Sequence, residues 1–135
     1  MGNKTFQKTS EDAEAVFYEC FMHCDTEVMA ALWADEDVIC VHPGSGLILG
    51  HDAVVRSWAS ILNNAQTPEL EYKLVQKTFS SDLAVHMVVE EMLNRGQVAA
   101  IILATNVYKK FPNGWLMVEH HASIIQNQSH GQTLQ

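Results

Sequence analysis

With 135 residues, 47% of them hydrophobic and 18% charged, the chain has the size and composition of one soluble globular domain that needs no disulfide or metal to hold its core. Eight Lys and Arg against sixteen Asp and Glu give a net charge of −8, which repels phosphate backbones and anionic bilayers and excludes nucleic acid and membrane as expected partners. No apolar run reaches the ~18 residues of a membrane span, the first residues hold no apolar signal core, and Phe6 stands where a myristoylation start needs Ser or Thr.

In chain order, Thr9 and Ser10 can cap a first helix in which Ala13, Val16, Phe17, Cys20, Phe21 and Cys24 recur on one face, running to about His23. Asp25 or Thr26 restarts a shorter helix with Val28, Met29, Leu32 and Trp33 inward, closed by the acidic turn Asp35-Glu36-Asp37. Asp37 to His42 is the first predicted strand. It stops at His42-Pro43-Gly44, because Pro43 disfavours a helical His42 and Gly44 lets the chain turn, which leaves an imidazole at a rim. A second extended piece runs into Gly50. Asp52 can then cap a third helix with Val54, Trp58, Ile61 and Leu62 as its stripe and Arg56 and Ser60 off it, and Thr67-Pro68 ends the helical section.

From Leu70 the pattern becomes long extended segments, Glu71 to Phe79, Leu83 to Leu93, Val98 to Phe111 and Trp115 to Ile125. Asn94-Arg95-Gly96 and Pro112-Asn113-Gly114 between them carry hairpin chemistry. Residues 1–135 therefore read as a single domain with a core over about 10–125 and a loose polar tail from 126 to 135. Helices followed by a meander predict an α+β fold with helices packed on one face of a curved antiparallel sheet.

Side chains alternate along a strand, so facing can be assigned from apolarity if the helix-covered face is the greasier one. On that rule Leu116, Val118, His120, Ala122 and Ile124 face in, and Trp115, Met117, Glu119, His121 and Ser123 face out. Leu83, Val85, Met87, Val89 and Leu93 carry Glu91 inward with them, leaving His86 and Glu90 outside. Asn106 and Tyr108 are assigned inward. Ile101, Leu103 and Val107 make the other face of that strand apolar as well, which predicts a homodimer through the outer sheet face. A carboxylate, an imidazole and a carboxamide (Glu91, His120, Asn106) converging in an apolar cavity form either a satisfied hydrogen-bond network or a ligand site.

The runs Val-Ile-Cys-Val-His-Pro-Gly, Gly-His-Asp-Ala-Val-Val-Arg-Ser-Trp, Ala-Thr-Asn-Val-Tyr and Asn-Gly-Trp-Leu-Met-Val-Glu-His-His-Ala-Ser, spaced along nearly the whole chain, resemble the SnoaL-like branch of the nuclear-transport-factor-2-like superfamily. The resemblance implies a cone-shaped α+β fold of the cystatin-like kind, commonly a homodimer, with a cavity inside the cone. One branch, similar to ketosteroid isomerase and to polyketide cyclases and dehydratases, moves a proton in an apolar pocket; here no Asp stands inward on the sheet, and Tyr18 lies just off the buried helical stripe. The other is the association domain of calcium/calmodulin-dependent protein kinase II, whose final-strand pattern Val118-Glu119-His120-His121-Ala122-Ser123 resembles. That branch lines its cavity with arginines, where the corresponding positions here are Val89, Asn106 and Ala122.

Two functions stand at this point. The first is a protein that binds a small, largely apolar molecule and transfers a proton beside a carbonyl, as an isomerase, cyclase or dehydratase does. Glu91 and His120 would be its catalytic acid and base, and His42, Trp58, Asn106, Tyr108 and Val118 its ligand-binding residues. The second is a non-catalytic dimerisation or ligand-sensing module. The cysteines Cys20, Cys24 and Cys40 have no repeated metal-type spacing and fit a reducing cytoplasm. No cofactor motif, phosphate loop or nucleophile elbow is present, and His120 and His121 point to opposite faces and cannot share an ion, so neither cofactor nor metal is expected.

Overall fold

The computed structural model describes residues 3–64, 69–127 and 132–133. Helix α1 (Ser10–Met22) begins where the Thr9 hydroxyl accepts the Asp12 backbone N–H at 3.0 Å, with Glu11 and Asp12 beside the positive end of the helix dipole. It stops at His23, after which Cys24 turns with φ 54°, and Asp25 caps α2 (Thr26–Leu32) by accepting from the Val28 N–H at 3.1 Å. Helix α3 (His51–Asn64) starts two residues earlier than expected. Gly50, at φ 91°, takes the capping place, its carbonyl accepting from the Val54 N–H, and Asp52 sits in the first turn. Thr67-Pro68, expected to end this section, lie outside the described residues.

The strands are β1 (Ile39–Val41), β2 (Ile48–Leu49), β3 (Glu69–Phe79), β4 (Leu83–Asn94), β5 (Gln97–Phe111), β6 (Gly114–Asn127) and β7 (Gln132–Thr133). They form one curved, unclosed sheet in the order β2-β1-β6-β5-β4-β3, with β7 added to β6. Beyond Ile125, Gln126 and Asn127 pair with Thr133 and Gln132; the remaining tail residues lie outside the described ones. The strand β1 runs parallel to β6, placing Cys40 beside His120 and Val41 beside His121. The helices cover one face, and the core is built around Phe17, whose ring packs edge-on to Tyr18, Phe21 and Trp58 at centroid distances of 4.8, 6.3 and 5.3 Å.

Two β-bulges decide which side chains enter that core. The Arg95-Gly96 turn pairs Asn94 with Gln97 and Leu93 with Val98, but Met92 pairs with Ala100, so Ala99 is an extra residue. Beyond it the even positions of β4 face in. Ala84, His86, Val88 and Glu90 are buried, whereas Val85, Met87, Val89 and Glu91 line the outer face. The expected inward Glu91 and outward Glu90 and His86 are thus reversed, and Val89 is no cavity position. Greasiness misled here because the outer face of the sheet is the more apolar one, while the inner face buries polar groups that satisfy one another.

The second bulge is at Val118, which is skipped between the pairs Tyr108–Met117 and Val107–Glu119. It reverses parity within β6, so that Trp115 and Met117 on one side and His120 and Ala122 on the other all enter the core. The assignment of Trp115 and Met117 to the outer face is corrected accordingly; that of His120, His121 and Asn106 matches the structure.

The last hairpin is tied down by the N-terminal segment, which exchanges two backbone hydrogen bonds between Gln7 and Trp115. Gly114 takes φ 138°, and a Cβ there would stand 2.5 Å from the Gln7 carbonyl oxygen. Gly96 at φ 78° has open space around it. Gly114→Ala should therefore destabilise by roughly 1 to 3 kcal/mol in urea or thermal unfolding and more than Gly96→Ala, which carries backbone strain without a clash.

Candidate functional site

A cavity of about 300 Å³ opens between α1, the β1 turn, α3 and the concave face of the sheet, lined by Phe21, His42, Trp58, Glu90, Met92 and His120 among others. Each polar group there is delivered by a different element. The strand β6 brings His120, β4 brings Glu90, the end of β1 brings His42, and α3 brings Trp58. The walls are otherwise apolar and aromatic. Trp58 packs edge-on to His42 at 4.7 Å and lies 5.5 Å from His120, with the two imidazoles 6.4 Å apart.

Behind the cavity runs a continuous hydrogen-bond chain. The Tyr18 hydroxyl donates to Glu90 Oε2 at 2.6 Å, Asn106 Nδ2 donates to the Tyr18 oxygen at 3.0 Å, and Asn106 Oδ1 lies 2.6 Å from His120 Nδ1. All four side chains are essentially out of water, at 0 to 2% exposure. Burial, helped by the nearby Glu14 carboxylate, pushes the Glu90 carboxyl up to about 7 even though the Tyr18 hydrogen bond works the other way. Burial also drives His120 down to about 3, which keeps its ring neutral, and lowers His42. Tyr18 is held above its ordinary range by burial and by the Glu90 charge. The site combines a carboxyl that can change protonation near neutral pH with imidazoles that stay uncharged.

A second buried cluster lies deeper along α1. His86 Nδ1 stands 3.1 Å from Glu14 Oε1, outside the direction of a hydrogen bond, and its Nε2 is 3.0 Å from Ser10 Oγ, while the Tyr108 hydroxyl reaches Glu14 at 3.4 Å. None of these four lines the cavity. They fasten α1 to β4 and β5.

Of the residues expected to form the site, His120, His42 and Trp58 line the cavity. Asn106 sits one hydrogen bond behind it. Tyr108 is buried but belongs to the Glu14 cluster, and Glu91 is on the outer face. Val118 lines a separate groove with Lys4, Phe6, Asp35 and Phe111, because the bulge turns it away. Glu90 and Tyr18 were missed. Tyr18 is fully buried, since the inward face of α1 is wider than its apolar stripe and includes Glu14 and Tyr18 one turn apart. The signal for both was pairing: once Asn106 faces inward, its unsatisfied amide requires polar partners on the neighbouring inward positions.

A larger groove of about 500 Å³ between α1 and α2, lined by Val16, Glu19, Cys20, His23 and Asp25, is a poor site. Its His23 already bonds the Glu19 carbonyl, Asp25 caps α2, and the Cys20 thiol is pushed up to about 12 by burial. Among the described residues no group of three or more His, Cys, Asp and Glu is placed to hold a metal ion, and no helix is long and apolar enough to cross a membrane.

Comparison with known proteins places this architecture. A structure from Thiobacillus denitrificans, provisionally named a calcium/calmodulin-dependent protein kinase type II association domain, is 35% identical over 91% of this chain and all of its own, with a TM-score of 0.86. One from Streptomyces avermitilis, provisionally named a dehydratase of the NTF2-like family, is 28% identical over 86% of this chain and 93% of its own, with a TM-score of 0.76. The F-box protein SKIP8 of Arabidopsis thaliana is 32% identical over 101 residues, 73% of this chain; the match spans 42% of that protein's length. A sequence profile described as a SnoaL-like domain matches residues 11–127, and the chain therefore belongs to the SnoaL-like family, within the NTF2-like superfamily of cystatin-like folds.

Proposed function

We propose that this protein binds a small, largely apolar molecule in the cavity between His42 and His120, and that Glu90 exchanges a proton with the carbon beside that molecule's carbonyl group. The observation that carries the reading is the state of two polar atoms. Glu90 Oε1 and His120 Nε2 belong to side chains at most 2% exposed, both line an otherwise apolar cavity, and neither atom has a hydrogen-bond partner among the described residues. Polar atoms that open only onto an apolar cavity are met by a ligand or by water there. Glu90 takes the place first given to Glu91 as acid and base, His120 keeps its place as the second polar group, and His42 and Trp58 form the mouth and wall. A cavity of about 300 Å³ stands at the small end of ligand pockets.

Protein purified from its host and extracted with solvent should release a small neutral carbonyl compound. With that compound, Glu90→Gln should slow exchange of the hydrogen beside the carbonyl by about 100-fold or more while leaving binding in place, and Glu91→Gln should exchange at the wild-type rate. Equal rates in wild type and Glu90→Gln would remove Glu90 as the proton carrier.

The same carboxyl is visible in stability. The folded protein holds the Glu90 proton to about pH 7, whereas an unfolded glutamate releases it near 4.5, so the folded state binds more protons between those values. Glu90's contribution therefore weakens as pH rises from about 4.5 to 7. The unfolding free energy of wild type relative to Glu90→Gln should fall by on the order of 3 kcal/mol across that interval. His120 acts in the opposite sense between about 3 and 6.5 and cancels in the difference.

A second reading, compatible with the first, is favoured by the outer sheet face. There Val85, Met87, Val89, Ile101, Leu103 and Val107 form a contiguous half-buried apolar field across β4 and β5, edged by Lys73, Glu119 and His121. This face suits a homodimer in which two sheets pack against each other. Native mass spectrometry should give twice the 15.1 kDa chain mass, and Leu103→Glu should return it to the monomer; a monomeric wild type would remove this interface.

A further inference from the structure

Building on the cavity as a ligand site, we infer that the hydrogen-bond polarity of its His120 side is set from behind so that this imidazole presents a bare lone pair, and that the ligand therefore brings a hydroxyl O–H to it. The derivation follows the hydrogens. Tyr18 has one hydroxyl hydrogen and gives it to Glu90 Oε2, so its oxygen accepts from Asn106, which requires the amide nitrogen on that side. The amide oxygen then faces His120, and an oxygen acceptor 2.6 Å from Nδ1 places the ring hydrogen there. His120 is neutral, so Nε2 is left bare toward the cavity.

The tautomer of His42 is set by a different route. Its Nε2 is 2.9 Å from Ser57 Oγ, and the single hydrogen of Ser57 is already donated to the Val54 carbonyl at 2.7 Å. Ser57 therefore accepts and His42 carries its hydrogen on Nε2, while its Nδ1 stands 3.9 Å from the Cys40 sulfur. No Lys or Arg is among the residues lining the cavity. The indole N–H of Trp58, which lines the same cavity, is buried with no hydrogen-bond partner among the described residues, so the wall also holds one open donor. The polar lining thus offers a lone pair at His120, a carboxyl at Glu90 that can hold a proton, and the N–H of Trp58. The His120 position accepts an O–H and disfavours an ether oxygen placed there, while a carbonyl elsewhere on the same molecule has Glu90 and the Trp58 N–H to meet it. Asn106, Tyr18 and Ser57 touch no ligand and act as positioning residues.

Binding of 2-naphthol and 2-methoxynaphthalene to the full chain, measured by calorimetry, tests this alongside nitrogen NMR of the histidine rings. The naphthol should bind at least about tenfold more tightly than its methyl ether, and the spectra should show hydrogen on Nδ1 of His120 and on Nε2 of His42. Asn106→Leu should release the His120 ring to the other tautomer and shrink the affinity ratio; Ser57→Ala, which keeps the His120 chain intact, should leave the His120 signals unchanged. Equal affinities, or a His120 ring protonated on Nε2, would overturn the inference while leaving the cavity as a ligand site. Failure of both compounds to bind would overturn the ligand site itself.

Discussion

The hydrogen bond from Tyr18 to Glu90 inside the apolar cone is the constraint on which the rest of this structure turns. A carboxyl taken out of water costs several kcal/mol unless its oxygens find donors, and here one oxygen is satisfied by a tyrosine that is itself held by Asn106, which in turn holds His120. Removing any member would leave its neighbours buried and unpaired, so the four residues act as one unit. They also span the fold, since α1, β4, β5 and β6 each contribute one. The chain is a tertiary clamp as well as the back wall of the cavity.

Bulges make this clamp possible. Without the extra residue at Ala99, Asn106 would stand opposite Val85 and Glu91 would turn inward; without the one at Val118, either Met117 or His120 would lie outside. Each bulge spends one residue of regular pairing and gains a change of face in mid-strand. The same device keeps Trp115 and Met117 packed under the helices while His120 reaches the cavity. Bulges of this kind also bend the sheet, which is how six neighbouring strands wrap the helices without closing.

Membership of the SnoaL-like family fixes the scaffold and leaves the chemistry to the residues inside it. The relatives described above carry names as different as a dehydratase and a kinase association domain on one architecture. In this chain the cavity holds no arginine among its lining residues and has instead a carboxyl raised toward neutrality beside two neutral imidazoles. That electrostatic character is produced by burial more than by any neighbouring charge.

What the amino-acid order determined by itself was local and periodic. The Thr9 and Asp25 caps, the stripe through Phe17 and Cys20, the turns at Arg95-Gly96 and Pro112-Asn113 and the long strands after Leu70 all follow from spacing and turn chemistry, and with them the α+β class and the inward His120 and Asn106. Only the tertiary structure decided between Glu90 and Glu91. Adjacent residues on a strand face opposite ways, one unpaired residue in a neighbouring strand exchanges them, and nothing in local composition marks Ala99 as that residue. Nor could periodicity see Tyr18, whose inward place depends on Glu90 and Asn106, 72 and 88 residues away in sequence, arriving to satisfy its hydroxyl. Polar burial is decided by partners, and partners are brought together only when the sheet closes over the helix.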